Sequence, residues 1–424
     1  MSMALLAAAI IALLALRVPV AFALLGPSLT YVTFNGHSVG LSTREVVGAI
    51  DSFPLLAVPL FILVGVIANQ AGIADRLFDF ALATIGRVKG SLGYVNIGVS
   101  LGFSWMSGSA LADAAGLGKV EVPAMVRNGY PKRFSVGITA ASSLIGPVMP
   151  PSIPAVIYAS IAAVSTGALF AASVVPAFLM AAGLGVAVFV WARKQTGLAG
   201  QAFEWQRFRS AALRVLGPLG APVIILGGIL GGLFTPTEAA AVGALYVLLL
   251  GFTYRTVRLR DLGGILRDTA ATTASITLIL GASGLLAWIL AREQVPKAVA
   301  EAMLGVTDNT VVFLLLVNLL LIFLGAVLEG ISVLVITVPI LLPIAVEFGV
   351  DPLQFGVIAI LNLMIGLLTP PIGAVLYVMS PVTKLDVHEV FRGTLPFLIP
   401  LFAVLLLVTF VPSVVTFLPG LLGL

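Results

Sequence analysis

Two short motifs constrain this chain more than anything else in it. One is Gly146-Pro147-Val148-Met149-Pro150-Pro151-Ser152, and the other is Gly366-Leu367-Leu368-Thr369-Pro370-Pro371-Ile372. Each is a Gly-x-x-x-Pro-Pro break inside a long apolar run, and the two lie 220 residues apart. Proline removes a backbone donor and clashes with the preceding turn, so two in succession stop a helix. In lipid the freed backbone groups must find partners, so such a break survives only inside protein or around a bound ion or substrate. Matching breaks in corresponding halves of a chain point to the binding region of a secondary transporter.

The environment of the breaks follows from composition. Of 424 residues, 60% are hydrophobic and 9% charged, which excludes an ordinary soluble domain and reads as a polytopic membrane protein. There is room for about ten spans of ~20 residues. A net charge of +4 reflects loop topology, not affinity for nucleic acid. There is no cysteine, hence no thiol chemistry and no redox compartment to read. Residues 1–16 are apolar with no basic residue before them, which predicts a first membrane segment instead of a cleaved signal peptide.

The apolar runs at 90–126 and 309–346 are longer than one span and carry polar or small residues at their centres, Ser107-Gly108-Ser109 and Glu329-Gly330. We read each as a re-entrant hairpin of two half-length arms. With a shift of 220, Pro123 meets Pro343, Gly129 meets Gly349, Gly146 meets Gly366, Pro150 meets Pro370 and Pro151 meets Pro371. The chain therefore divides into a first repeat at 1–200, with a hairpin at 90–126 and a broken helix at 134–160, and a second at 215–424, with a hairpin at 309–346 and a broken helix at 353–380. Residues 201–214 form a cytoplasmic connector. Each half holds five transmembrane spans plus one hairpin. Five is odd, so the expected fold is an all-α membrane protein with an inverted-topology repeat.

Charge gives an independent check. If residues 72–90, 127–133, 193–214, 255–268 and 384–393 share one side with Arg17, that side holds all but four of the 22 Lys and Arg; the exceptions are Arg44, Lys119, Arg292 and Lys297. Such a bias makes that side cytoplasmic and sends both termini outward. The stretches 74–88 and 196–214 mix aromatic and basic residues and suit helices lying along the cytoplasmic surface, as braces or as plain connectors.

Both breaks face a polar hairpin tip in this reading. Hydroxyls and freed carbonyls are hard oxygen ligands suited to a small hard cation such as Na⁺, and helix N-termini beside the breaks offer positive dipole ends to an anion. The first candidate site joins Ser107, Gly108 and Ser109 to residues Gly146 through Ser152. The second joins Glu329, Gly330 and Ser332 to Gly366, Thr369 and Pro370. Ser and Gly also serve close helix packing in lipid, but two tips each paired with a Pro-Pro break favour the ion reading. Asp113 and Glu329 are ionisable groups at membrane depth and hence functional candidates. Asn69, Asn96, Asn318 and Asn362 suit interhelical hydrogen bonds.

Enzyme chemistry finds no support. Gly98-Val99-Ser100-Leu101-Gly102 matches G-x-S-x-G, but a serine nucleophile needs a base, and the two histidines, His37 and His388, fall in loops. Gly118-Lys119 is followed by Val120, so there is no phosphate-binding loop, and an ion gradient is left as the energy source.

The segments Ser107-Gly-Ser-Ala-Leu-Ala-Asp113, Pro123-Ala-Met, Ile138-Thr-Ala-Ala-Ser-Ser143 and Gly146-Pro-Val-Met-Pro-Pro-Ser152 closely resemble the large membrane subunit of TRAP (tripartite ATP-independent periplasmic) transporters. So do Pro59-Leu-Phe-Ile, Ala291-Arg-Glu-Gln294 and Gly366-Leu-Leu-Thr-Pro-Pro-Ile-Gly373. The likeness spans essentially the whole chain; one departure is Leu111, where a small residue is expected. The resemblance implies a channel-forming subunit in a bacterial inner membrane that imports a C4-dicarboxylate, sialic acid or another organic acid with Na⁺ as coupling ion and no other cofactor. It implies an elevator motion of hairpins and broken helices against a scaffold, and two partners: a small four-helix membrane subunit on a separate polypeptide and a soluble periplasmic binding protein.

On this basis we expect Ser107, Ser109, Gly146, Val148 and Pro151 to hold one Na⁺ and Gly330, Gly366, Thr369 and Pro370 another. Ser109, Asp113, Ser152, Glu329 and Ser332 are candidates for the substrate pathway. The rival readings are a stand-alone Na⁺/dicarboxylate symporter of related architecture, a non-transporting membrane scaffold and an intramembrane hydrolase.

Overall fold

Helix boundaries in this chain fall where backbone donors are lost or a side chain can supply a cap. The computed structural model describes every residue except Met1, Arg17, 196–199, Gln201 and Asp308, and among the described residues it contains helices and no strand. The charge assignment of Arg17 and of part of the 196–214 stretch lies outside the described residues.

In the first half the helices are α1 (Met3–Ala15), α2 (Val20–Phe34), α3 (Val39–Ile50), α4 (Ala57–Gln70), α5 (Ile73–Ile85), α6 (Ser91–Ser107), α7 (Ala110–Arg127), α8 (Lys132–Ser142), α9 (Ile153–Ala162) and α10 (Thr166–Arg193). The second half has α11 (Trp205–Leu230), α12 (Pro236–Thr253), α13 (Leu262–Arg292), α14 (Val295–Val306), α15 (Thr310–Val327), α16 (Gly330–Glu347), α17 (Pro352–Gly366), α18 (Ala374–Thr383), α19 (Val387–Phe410) and α20 (Ser413–Leu422). Among the described residues, eight helices are long and apolar enough to cross a membrane, while α1, α2 and the halves of the broken helices are shorter.

Ser109 begins α7, its Oγ accepting from the Ala112 N–H, and Ser152 begins α9 by accepting from the Ala155 N–H. Thr235 and Glu238 cap each other reciprocally at the start of α12, a two-way satisfaction of orphan donors. At the other extreme, Pro412 ends α19. It stands four residues after Val408, whose carbonyl it cannot serve, and Gln354 of α17 donates to the Val408 and Thr409 carbonyls instead, at 3.0 Å each.

Helices occupying corresponding positions have corresponding bounds. Hairpin arms α7 and α16 differ by an offset of 220 at both ends, and α8 and α17 begin at the same offset. Their contacts are exchanged between halves: α7 packs on α18 while α16 packs on α9, and α8 packs on α19 while α17 packs on α10. Tyr158 of α9 reaches across to α17, donating to the Pro352 carbonyl at 2.6 Å, with its ring over Gly356. The helices α8, α9 and α17 are mostly buried, and the first break, residues 146–152, is buried with them, while Pro370, Pro371 and Ile372 of the second are exposed.

Several expectations are corrected. The hairpin arms are not half-length: α6, α7, α15 and α16 have 17 or 18 residues, about 26 Å each, because the turns take only two residues. Residues 205–214 are not a separate surface connector but the first turns of α11, which meets no proline before Pro218. Near the end of the chain Pro412 separates α19 from α20.

Segments assigned to one side by charge do lie together. Arg76 stacks over the Tyr254 ring at 3.6 Å, Arg87 faces Phe203, and Arg133 of α8 pairs with Glu389 of α19. On the opposite side, His37 meets Trp288 edge-on at 5.5 Å, and Arg292 lies over that same ring.

Candidate functional site

Two prolines define the first break atom by atom. Pro150 and Pro151 stand four residues after Gly146 and Pro147, so neither can donate the helical hydrogen bond those carbonyls would otherwise receive. Ser152 Oγ replaces one of them by donating to the Pro147 carbonyl. The carbonyls of Gly146, Val148 and Pro151 accept no backbone hydrogen bond among the described residues. All of residues 146–152 are buried. The Pro150–Pro151 bond is cis, as is Pro370–Pro371.

The tip of the first hairpin closes over this loop. Gly108 adopts a left-handed conformation with φ of 60°, and a β-carbon there would come within 3.0 Å of the Pro151 carbonyl oxygen. Only glycine meets both demands without strain. Ser107 Oγ donates to Asp113 Oδ1 and accepts from the Ser109 N–H at 3.2 Å. The other carboxylate oxygen of Asp113 has no hydrogen-bond partner among the described residues and lies against Gly146. Asp113 is fully buried, Ser107 nearly so and Ser109 half-buried. Behind the tip, Gly65 of α4 packs on the Ser107 backbone.

The region therefore holds one free carboxylate oxygen, the Ser107 hydroxyl and backbone carbonyls without backbone donors, all in a buried loop and tip. Oxygen-only donors with a single negative charge suit a small hard monovalent cation. Among the expected ligands, Ser107 is bonded to Asp113, which lies against Gly146, Pro151 lies against the tip glycine Gly108, and Val148 is buried in the same loop. Ser109 contributes as the cap of α7. Asp113 belongs to this cluster, buried beneath the tip, and Ser152 is committed to capping α9 and the Pro147 carbonyl; neither faces an open path in this conformation.

The second site is built differently. Gly366 packs on the backbone of Gly325 and Ala326, where a β-carbon would sit 2.6 Å from the Gly325 carbonyl carbon. The Ala326 carbonyl accepts from the N–H groups of Ile372 and Gly373 at 3.0 and 3.1 Å. The break thus leans on the end of α15. The Gly366 carbonyl is taken by the Thr369 N–H, and Thr369 Oγ1 donates to the Ile365 carbonyl at 3.0 Å. Gly330 at the tip lies against Met364 and Leu363, so Gly330 and Gly366 share α17 as a neighbour without the tip closing over Thr369 and Pro370. Pro370 is exposed, unlike its counterpart Pro150. Glu329 is exposed and caps α16, its Oε2 accepting from the Ser332 N–H and hydroxyl; Ser332 is buried.

Sequence reasoning missed Glu121, fully buried on α7 and hydrogen-bonded to Asn96. The signal was an acid on the same arm eight residues after Asp113, hence about two turns further along one helix face. Asn96, Asn318 and Asn362 do make the expected interhelical hydrogen bonds; Asn362 donates to Asn318 at 2.7 Å, and Asn318 donates to Thr409 at 3.1 Å.

The arrangement matches the backbone of solved membrane transporters. The Alcanivorax borkumensis YdaH transporter superposes with a TM-score of 0.59 at 14% identity, covering 87% of each chain. Neisseria gonorrhoeae MtrF, described as one of a class of antimetabolite efflux pumps, gives 0.57 at 16% identity, over 86% of this chain and 82% of its own. The fold is that of a multi-span helical membrane protein. The family follows from sequence: the description "Tripartite ATP-independent periplasmic transporter, DctM component" matches residues 7–414, and the chain belongs to that family. Its relatives include the sialic acid TRAP transporter large permease protein SiaM of Vibrio cholerae serotype O1, 46% identical over 95% of both chains. The sialic acid TRAP transporter permease protein SiaT of Haemophilus influenzae is 41% identical over 96% of this chain and 66% of its own length. The C4-dicarboxylate TRAP transporter large permease protein DctM of Pseudomonas aeruginosa is 36% identical over 94% of both.

Proposed function

We propose that this chain is the channel-forming subunit of a secondary TRAP transporter that imports an organic acid anion, of the sialic acid or C4-dicarboxylate kind, coupled to Na⁺. The observation that carries the reading is the buried cluster under the first hairpin tip: the unpartnered Asp113 oxygen, the Ser107 hydroxyl, the Gly146 carbonyl whose helical donor Pro150 lacks, and the Val148 and Pro151 carbonyls, which accept no backbone hydrogen bond. A buried, unpaired carboxylate is costly unless a cation accompanies it. Na⁺ supplies that charge and takes oxygen ligands alone. The second Na⁺ position lies at Gly330, Gly366, Thr369 and Pro370, assembled when the second tip moves over the exposed break. Ser109 and Glu329, the less buried tip residues, line the substrate path.

The exchanged contacts of equivalent helices support two repeats related by a pseudo-twofold. With the loop charges, this gives an inverted repeat in a bacterial inner membrane, with both termini periplasmic. The hairpins and broken helices move as one body in an elevator motion. The partners are a small four-helix membrane subunit and a periplasmic binding protein that delivers the anion.

The test is uptake of labelled N-acetylneuraminate, and separately of succinate, into proteoliposomes. The chain is tested alone, with the small subunit, and with both partners. Uptake of one acid with both partners supports the proposal. Equal uptake by the chain alone would replace it with a stand-alone symporter, and no uptake of either acid by folded protein in any combination would reject the substrate class.

A further inference from the structure

The second buried acid of the first hairpin has no part in the Na⁺ cluster. Glu121 sits on α7 between α6 and α8, with no exposure. Asn96 Nδ2 donates to Glu121 Oε2 at 2.5 Å and to Thr139 Oγ1 at 2.6 Å. Ser142 Oγ donates to Asn96 Oδ1 and Ser100 Oγ donates to Ser142 Oγ, both at 2.8 Å. Thr139 gives its own hydroxyl hydrogen to the Ser135 carbonyl. Glu121 Oε1 is left with no hydrogen-bond partner among the described residues.

The other half of the chain shows what packing alone requires. At the offset of 220, Ser142 corresponds to Asn362 and Glu121 to Leu341. There an uncharged network, Asn362 to Asn318 to Thr409, joins hairpin arm α15 to α17 and α19. A carboxyl is thus not needed to seat a hairpin against its broken helix, yet one is buried in the first half.

We propose that Glu121 is a proton-binding site whose occupancy controls the seating of the first hairpin. The hydrogen-bond count selects a proton over a metal cation. Hard metal cations need several oxygen ligands at once, and here the Asn96, Thr139, Ser142 and Ser100 polar atoms already engage one another. One carboxylate oxygen, Oε1, remains without a partner among the described residues, and a proton needs no other ligand. Binding forms an O–H bond on Oε1 with a proton taken from water, and release returns it; no electrons are transferred. Since Glu121 is enclosed, exchange requires α7 to lift from α6 and α8. The neutral form suits the seated hairpin, and the carboxylate, which needs water, suits the lifted one.

The charged surroundings leave this role to Glu121. On α7 itself, Asp113 lies two turns toward the tip and Lys119 is exposed. From α6 the facing groups are uncharged, and Tyr94, two residues from Asn96, points to another side of the helix. On α8, Lys132 and Arg133 are exposed at the far end; α18 meets α7 with Met379 and Val382 at Gly118, and Lys384 beyond it is exposed. On α5, Asp75 and Asp79 are exposed and Arg76 is engaged with Tyr254.

The experiment needs no substrate, so its failure and the failure of the transport reading are separable. Infrared spectra of the purified chain in lipid nanodiscs are recorded across pH, with and without Na⁺. Wild type is compared with Glu121→Gln, Glu121→Leu and, to assign the other buried acid, Asp113→Asn. Hydrogen–deuterium exchange of 110–127 is followed over the same pH range. The expected result is a protonated-carboxyl band that shifts in deuterated water, disappears in both Glu121 variants and persists in Asp113→Asn. Once the intrinsic pH dependence of amide exchange is divided out, protection of α7 should rise as pH falls in wild type and be independent of pH in Glu121→Gln. Absence of the band from wild type at every pH, or its persistence in either Glu121 variant, overturns the proposal. So does its removal by Na⁺ at constant pH in Asp113→Asn, which would make Glu121 a metal ligand.

Discussion

A β-carbon on Gly146 would lie 2.3 Å from Asp113 Oδ2. The helix break and the first hairpin thus touch through a glycine and the free oxygen of a buried carboxylate. That contact joins two segments that sequence alone could only pair by analogy with the other half.

Replacing Gly146 with alanine forces the two apart. Overpacking of this kind costs roughly 1–3 kcal/mol, a factor of about 5 to 150 in the equilibrium that seats the tip. Na⁺-induced thermal stabilisation of the purified Gly146→Ala variant should be lost, while membrane insertion is unchanged. Undiminished stabilisation would show that the tip does not close over this break when the ion binds.

Ser109 separates capping from ion binding. Ser109→Ala removes the N-cap of α7 and should lower stability by about 1 kcal/mol, with Ser109→Gly costing a few tenths. A bulky residue, as in Ser109→Leu, should abolish Na⁺-driven uptake without loss of insertion, and Thr369→Leu should do the same at the second tip. Normal uptake by both bulky variants contradicts the site assignment.

The Asn318–Asn362 pair should behave as a buried network. Asn362→Leu leaves Asn318 with an unsatisfied acceptor, at a cost of about 1–3 kcal/mol. The double change Asn318→Leu with Asn362→Leu should be less destabilising than the sum of the two single changes. A thermal-melt double-mutant cycle measures the coupling, and strict additivity would refute it.

Gly137 of α8 and Gly393 of α19 bring two backbones together: a β-carbon on Gly137 would lie 1.9 Å from the Gly393 carbonyl oxygen. Small residues allow such approach between membrane helices. Gly137→Ala should therefore separate α8 from α19 and weaken the Arg133–Glu389 pairing at their ends. A cysteine pair at positions 133 and 389 should crosslink less efficiently in that background. Equal crosslinking would show that the helices tolerate the added methyl in place.

The prolines explain why so much of the architecture was readable. Pro150, Pro151, Pro370 and Pro371 end helices by covalent chemistry, so both breaks could be placed to within a few residues. Ser109 and Ser152 were read from sequence as site candidates, and their roles as caps of α7 and α9 emerged from the structure. The length of the hairpin arms was not legible, because an apolar run of two helices reads like two half-spans until the tightness of the turn at Gly108-Ser109 is known. The stretch 205–214 misled because its aromatic and basic residues suit a surface helix, while its continuation into the apolar part of α11 is a matter of there being no breaker before Pro218. The missing donor at Gly146 was legible from proline spacing, since Pro150 stands four residues on. Glu121 was not, since its importance lies in Asn96 and Thr139, which reach it from two other helices. The difference between a covered first break and an exposed second one is a property of conformation, and no motif encodes it.

The central claim is that a Na⁺ held under the first hairpin tip travels with an organic anion. Radiolabelled Na⁺ uptake into proteoliposomes containing the chain and both partners, with and without the transported acid outside, tests it most directly. The account predicts Na⁺ entry that depends on the acid and is lost in Ser109→Leu. Acid uptake with no accompanying Na⁺, or Na⁺ entry indifferent to the acid, would contradict it.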